Sequence, residues 1–428
     1  MIINYQKKIL PDGKRIILAP MKNTSAVTLL VLFGTGSKNE TKRTNGVSHF
    51  LEHLFFKGTK TRPNPGDIHK IFDGIGAEHN AFTSKELTGF WVKCADKNFN
   101  IALEVVSDLL LNPLFDKNEI EKERGVILQE ISMYEDLPQR RVAELFETVL
   151  YGNQPAGWDT AGTKESVSGI KREDILKYRQ SQYTASNTVV SLAGNINPEK
   201  AFQKIQKAFE KLPKTRALPR IKTQEKQASP QLGFLNKKSD QTHLILGFRG
   251  FKMYDEKKYA LSLLSIILGG NTSSRLFMEI REKLGLAYYV GSASENYTDC
   301  GYLAIRMGIP HSSLKTALAK TAEIATDLRK NRIGKKDLNF AKDYIRGSMA
   351  LSLESSDEVA SFFGEQFLFL KKILQPKDIL RKFEKVSEDD IIKVARQVFQ
   401  KTKANLAVIG PYDEKQKADY KKLLSSKL

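Results

Sequence analysis

Apolar positions along the chain follow a programme that runs twice. Residues 26–34 (AVTLLVLFG) and 242–250 (THLILGFRG) are short, near-continuous apolar runs that close on Gly, as strands buried on both faces do. Each leads into helical sequence. In the first case Val47, Phe50, Leu51, Leu54 and Phe55 form a core-facing stripe; in the second the apolar run Ala260 to Leu268, interrupted by Ser262 and Ser265, takes its place. A turn at Gly76-Ala77, or at Gly285-Leu286-Ala287, then opens further strand-like sequence. Each half ends in an Asn-initiated apolar strand closing on Gly, Asn187–Gly194 and Asn405–Gly410. The stretch 213–232, LPKTRALPRIKTQEKQASPQ, is polar, basic and punctuated by Pro, as a linker is. The pattern predicts a duplicated α+β protein, with homologous domains at 1–212 and 233–428 on either side of a linker at 213–232.

Two helices of the first half break their own pattern. The stripe from Val47 to Phe55 is expected to be capped by Thr44 or Asn45 and ended by Gly58, and its neighbouring face carries His49, Glu52, His53 and Phe56. Histidines four apart on a helix stack over one another at roughly 5–6 Å between Cβ atoms, close enough to grip one ion. A catalytic zinc takes three protein ligands and an open position, so a third ligand has to come from elsewhere. Residues 116–134 start with the capping box Asp116-x-x-Glu119 and set Ile120, Ile127, Ile131 and Tyr134 on one stripe. Glu123 and Glu130 share it, seven apart. Alone they read as rim residues of an amphipathic helix. Beside the histidines, Glu130 becomes the natural third ligand and Glu123 a carboxylate that orients a ligand.

Composition narrows the class. A chain of 428 residues with 41% hydrophobic content can bury a sizeable core. The formal charge is +19, split as +4 for residues 1–212 and +15 for 213–428. Such a surface attracts anions, but no nucleic-acid motif or aromatic-basic platform accompanies it, so a solvated lysine-rich exterior is expected and no nucleic-acid partner. No apolar run reaches 18 residues, which excludes a membrane-spanning helix, and Met1 to Tyr5 runs directly into strand-like sequence where a leader would stand. Cys94 and Cys300 are too few for a disulfide framework and suit the reducing cytoplasm.

Five stretches together carry a resemblance: HFLEHLFFKGT (49–59), GAEHNAFTSKELT (76–88), ERGVILQEISMYED (123–136), LYGNQPAGWDTAGT (150–163) and SSRLFMEIREKLGLAYYV (273–290). The chain resembles the pitrilysin/insulinase family of zinc peptidases with the inverted HxxEH motif, and within it the short-chain branch that includes the mitochondrial processing peptidases. The resemblance implies two α/β sandwiches, helices packed on a mixed, largely antiparallel sheet. It also implies one zinc per chain held by His49, His53 and Glu130, with Glu52 as the base and Glu123 in support. Taken alone, Arg281 in a last helical turn and Tyr288 on a strand are ordinary residues. The resemblance makes them the groups that hold substrate and stabilise the oxyanion, on a second domain that has lost its own metal motif. Asn80, Ala81 and Phe82 match the family's edge strand, where an extended peptide adds itself as a further strand. His79 stands where the family is usually apolar and is expected to be structural; His69, His243 and His311 have no partners at ligand spacing. The expected activity is endopeptidase cleavage of peptides or unfolded segments in an enclosed chamber. Its expected assembly is a homodimer that shares its sites, since one chain supplies two domains of the four that such a chamber needs.

Overall fold

The computed structural model describes residues 2–428. The chain is α+β, with two mixed sheets that repeat one plan. In the first, β1 (Gln6–Ile9), β2 (Arg15–Pro20), β3 (Ala26–Phe33), β4 (Glu78–Thr83), β5 (Thr88–Ala95) and β6 (Thr188–Gly194) take the order β1-β2-β6-β3-β5-β4. In the second, β7 (Gln231–Asn236), β8 (Thr242–Arg249), β9 (Tyr289–Asn296), β10 (Gly301–Ile309) and β11 (Ala404–Gly410) take the order β7-β11-β8-β10-β9. From β2 onward the pairings match: one parallel pair (β2/β6, β7/β11) and then three antiparallel ones. The predicted duplication is visible strand by strand.

The long apolar runs follow from two-sided burial. Along β3, Val27, Leu29, Val31 and Phe33 enter one core, while Leu30 and Leu32 enter another on the opposite face. The first core is closed by α1 (Val47–Phe55), α2 (Asp67–Gly74), α3 (Phe99–Leu111) and α4 (Lys117–Asp136). The second is closed by the helix Ser356–Phe369, which packs on β2, β3 and β6 through Val359, Ala360, Phe363 and Phe367. In the second sheet the equivalent covering element is α5 (Pro138–Tyr151), with Val142, Phe146 and Leu150 against Ile245, Ala407 and Ile409.

Cutting the chain at its linker separates the two sheets but not the two compact units. Unit 1 comprises Met1–Ile131, Asp159–Ile221 and Ser348–Lys377, and unit 2 comprises Ser132–Trp158, Lys222–Gly347 and Asp378–Leu428. Each half of the sequence therefore lends one amphipathic helix to the other half's sheet. The linker forms no helix or strand from 213 to 230, yet it is anchored. Arg220 donates to the carbonyls of Gly34 and Glu86 in unit 1, and Thr223 N–H donates to Asp299 in unit 2. Among the described residues no helix is long and apolar enough to cross a membrane.

Candidate metal centre

The α1 stripe is buried as its spacing predicts: Val47, Phe50, Leu51, Leu54 and Phe55 are all at most 1% exposed. The helix start differs from the prediction. Neither Thr44 nor Asn45 caps it; the N-cap is Gly46 at φ 96°, where an added Cβ would lie 2.6 Å from the Ala161 carbonyl oxygen. The capping acceptor is the buried carboxylate of Glu40, which takes Gly46 N–H, Ser48 N–H and an Asn45 side-chain N–H at 2.8, 2.8 and 2.9 Å. Burial pushes the Glu40 carboxyl up to about 7 in spite of these donors. The helix start is also held from outside the motif, since the Ser48 hydroxyl bonds the buried Tyr178 hydroxyl at 2.7 Å.

With the apolar face packed inward, His49 and His53 project from the other face with ring centroids 4.6 Å apart. On α4, Ile120, Ile127 and Ile131 are buried, which turns Glu123 and Glu130 toward the histidines. Glu130 Oε2 lies 3.7 Å from His49 Nε2 and 3.5 Å from His53 Nε2. The potential ligand atoms of these three residues all fall within 4.8 Å of one another. Ligands about 2.0–2.1 Å from a tetrahedral zinc stand roughly 3.3–3.4 Å apart, so this donor set fits the ion with only slight adjustment.

Glu123 stands behind His53. Its Oε1 is 2.8 Å from His53 Nδ1 and its Oε2 is 2.6 Å from Lys57 Nζ. Burial alone would raise its carboxyl, but the bonds from His53 and Lys57 prevail and hold it below the ordinary range. An ionised Glu123 favours a proton on His53 Nδ1, the tautomer that binding a metal through Nε2 would require. Glu52 sits on the same helix face and accepts a 2.5 Å hydrogen bond at Oε2 from the Thr83 hydroxyl on β4. Burial raises the Glu52 carboxyl above its usual range against that bond.

The strand that carries Thr83 is the free edge of its sheet: β4 pairs only with β5, through Asn80 to Trp91, Ala81 to Phe90 and Phe82 to Gly89. Gly89 admits the Phe82 ring, which would lie 2.4 Å from any Cβ placed there. Arg281 and Tyr288 belong to unit 2. Arg281 lies in a widened π-helical turn, Phe277–Lys283, with its guanidinium 4.8 Å from the Phe277 ring centroid, and Tyr288 is 76% exposed just before β9.

The structure thus brings His49, His53, Glu130, Glu52 and Glu123 into one cluster and sets Arg281 and Tyr288 on the other unit. Sequence reasoning passed over Lys57 and Glu40, and placed Thr83 on the edge strand without its bond to Glu52. Thr83 and Lys57 lie inside the conspicuous stretches, so their position was a signal without a role; Glu40 carried none. His243 and His311 are satisfied, through the Tyr289 hydroxyl and through Thr242 and the Ser239 carbonyl. His69 is satisfied too, at the surface, by a contact that no sequence spacing announces. Its Nδ1 lies 2.8 Å from His79 Nε2, because α2 and β4 meet after a short turn.

Residues 15–164 match a family profile described as Insulinase (Peptidase family M16), and residues 169–345 match one described as Peptidase M16 inactive domain. A protein of Bacillus subtilis described as an uncharacterized zinc protease is 37% identical over 402 residues, covering 94% of this chain and 97% of that one. Another uncharacterized zinc protease, from Streptomyces coelicolor, is 33% identical over 417 residues, covering 96% and 90%. Among solved structures, a protease from Helicobacter pylori superposes with a TM-score of 0.90 at 25% identity, covering 96% of this chain and all of that one. A Pseudomonas fluorescens protein described as a peptidase M16 inactive domain shares the fold at a TM-score of 0.88 and 22% identity, covering 96% and 99%.

Proposed function

Because the chain belongs to the insulinase family of peptidases, we propose that it is a zinc-dependent metalloendopeptidase that cleaves peptides or unfolded protein segments within an enclosed chamber. One observation carries the reading: three ligand atoms from His49, His53 and Glu130 converge within 4.8 Å. Glu52 stands on the same helix face. A zinc ion held by His49, His53 and Glu130 would supply Lewis acidity, lowering the pKa of a water toward about 7 and polarising the scissile carbonyl. Glu52 takes the proton of the attacking water and delivers it to the leaving amine. Its raised affinity for protons, set by burial, suits a group that must both accept and return one. Thr83 holds the Glu52 carboxylate by its other oxygen, and Glu123 with Lys57 locks the ring of His53.

The substrate backbone adds to the free edge of β4 beside Asn80, Ala81 and Phe82, so main-chain hydrogen bonds supply affinity with little sequence demand. Arg281 and Tyr288 donate to the developing oxyanion. Each chain carries one zinc motif and one Arg/Tyr pair, which supports a homodimer in which one chain's donors serve the other chain's metal. Cys94 and Cys300 are buried and form no disulfide, in keeping with a reducing cytoplasm. The test is metal content alongside peptide hydrolysis. The parent should hold about one zinc per chain and cleave unstructured peptides, whereas His49→Ala and Glu130→Gln should lose both. A zinc-loaded, active Glu130→Gln protein would overturn the ligand assignment.

A further inference from the structure

Outside the zinc cluster, unit 1 holds a second group of imidazoles. His69, on α2, and His79, on the edge strand β4, turn their ring nitrogens toward each other at 2.8 Å. Their faces are walled by aromatic rings. Phe56 stacks on His69 at 5.6 Å with 15° between the planes, and Phe72 lies 4.6 Å from His79. His69 is exposed, so the nitrogen edges are reachable from solvent while the ring planes are held. Asp73, one helical turn after His69, adds negative charge at His79.

We propose that His69 and His79 form a second, two-point metal clip for an imidazole-seeking divalent transition ion, Cu2+ before Ni2+ or Zn2+, and that its occupation restrains the substrate-accepting edge strand. The choice of ion follows from the spacing. Two ligands at right angles about a metal, each about 2.0–2.1 Å away, stand about 2.9 Å apart, as in tetragonal copper or octahedral nickel; a tetrahedral zinc would spread them to about 3.3–3.4 Å. No third side chain stands within ligand distance as the rotamers lie, since the three-residue grouping among the described residues is the zinc cluster. Water completes the coordination. The clip would tie α2 to the start of β4, the strand that carries Asn80 to Phe82 and the Thr83 donor of Glu52. Phe56, stacked on His69, directly follows α1, the helix of the zinc ligands. The inhibitory half of the proposal rests on the peptidase reading; the binding half stands without it.

The experiment titrates Cu2+ into zinc-loaded protein and follows bound copper, retained zinc, the nitrogen splittings of the copper electron-spin resonance, and peptide cleavage. The parent should take up one Cu2+ per chain with zinc retained, show two coupled nitrogens, and lose activity as the clip fills. His69→Asn, at an exposed position, should keep its basal activity, bind Cu2+ at least about tenfold more weakly and resist the inhibition; His79→Asn should show the same loss of copper. Equal copper binding by parent and both variants would overturn the clip, as would copper uptake matched by zinc release. Copper bound as expected with cleavage unchanged would overturn the restraint on the edge strand alone. A parent that binds copper at the clip but cleaves no peptide would leave the clip standing and remove the peptidase reading.

Discussion

The two sheets share strand order and sense, yet their interiors differ in kind. In unit 1 the buried side chains include Lys14, Lys38, Glu40, Lys85, Glu86, Asp108 and Glu123; among the described residues of unit 2 the buried polar groups are uncharged, namely Thr242, Ser265, Ser274, Thr321 and Asn405. Helix α1 and its counterpart Lys257–Gly269 show the contrast locally. α1 keeps a polar face of His49, Glu52 and His53, whereas the counterpart buries Tyr259, Ala260, Leu261, Leu263, Leu264, Ser265, Ile267 and Leu268 nearly all round. One plan of apolar positions is thus enough to build the sheet and its covering helices. Ionised groups are costly to bury, and here they collect where they hold something. Glu40 starts α1, Glu123 fixes His53, and Asp108 gathers Thr59, Thr61 and Arg62 in the segment that follows α1.

The sharpest way to erase the contrast is to remove the carboxylate of Glu52. Glu52→Gln should lower peptide cleavage about a thousandfold while zinc stays near one per chain, read by metal analysis beside a peptide assay. Activity within about tenfold of the parent would reassign the base. Next, Glu52→Gln and Arg281→Ala chains, each nearly inactive alone, should complement on mixing, with a mixed dimer approaching about half of the parent's activity. Subunit exchange is checked by mass labelling. Exchange without recovery would mean that the two copies do not divide the work between chains. Glu123→Gln should weaken zinc binding about 10–100-fold, measured by competition with a chelator, because His53 loses the carboxylate that sets its tautomer. Finally, Glu40→Ala should cost about 2 kcal/mol, seen as an earlier denaturation midpoint, since three buried N–H donors lose their acceptor. An unchanged midpoint would show that this buried charge does not support the helix it faces.

How much of this could be read from sequence depended on the range of the contacts. The α1 stripe and the Ile120, Ile127, Ile131 face of α4 were legible, because helical period alone decides which residues turn inward. The grouping of His49, His53 and Glu130 was legible because these residues stand on those two helices. The α1 cap was misread: Glu40 lies outside the stretch that local capping rules inspect, and Gly46 supplies a left-handed turn where a side-chain cap was expected. The His69–His79 contact was missed because it joins a helix to a strand, and neither period reports on the other. The borrowed helices were invisible for a similar reason. The stripes Val142, Phe146, Leu150 and Val359, Phe363, Phe367 announce burial without naming the sheet that receives them.

That exchange of helices sets a schedule for synthesis. When residue 212 has been made, the first sheet has all of its strands, but Ile17, Leu30, Leu32 and Val189 still lack their cover, because Val359, Phe363 and Phe367 have not been translated. At about 5–20 residues per second, the wait lasts roughly ten to thirty seconds. Through that interval an apolar sheet face stands open on the nascent chain, available to chaperones or to a neighbouring polypeptide on the same message. A truncated product that stops at the linker would carry His49, His53 and Glu130 and yet lack the lid of its own sheet, so the candidate ligands and the cover of their sheet arrive at different times.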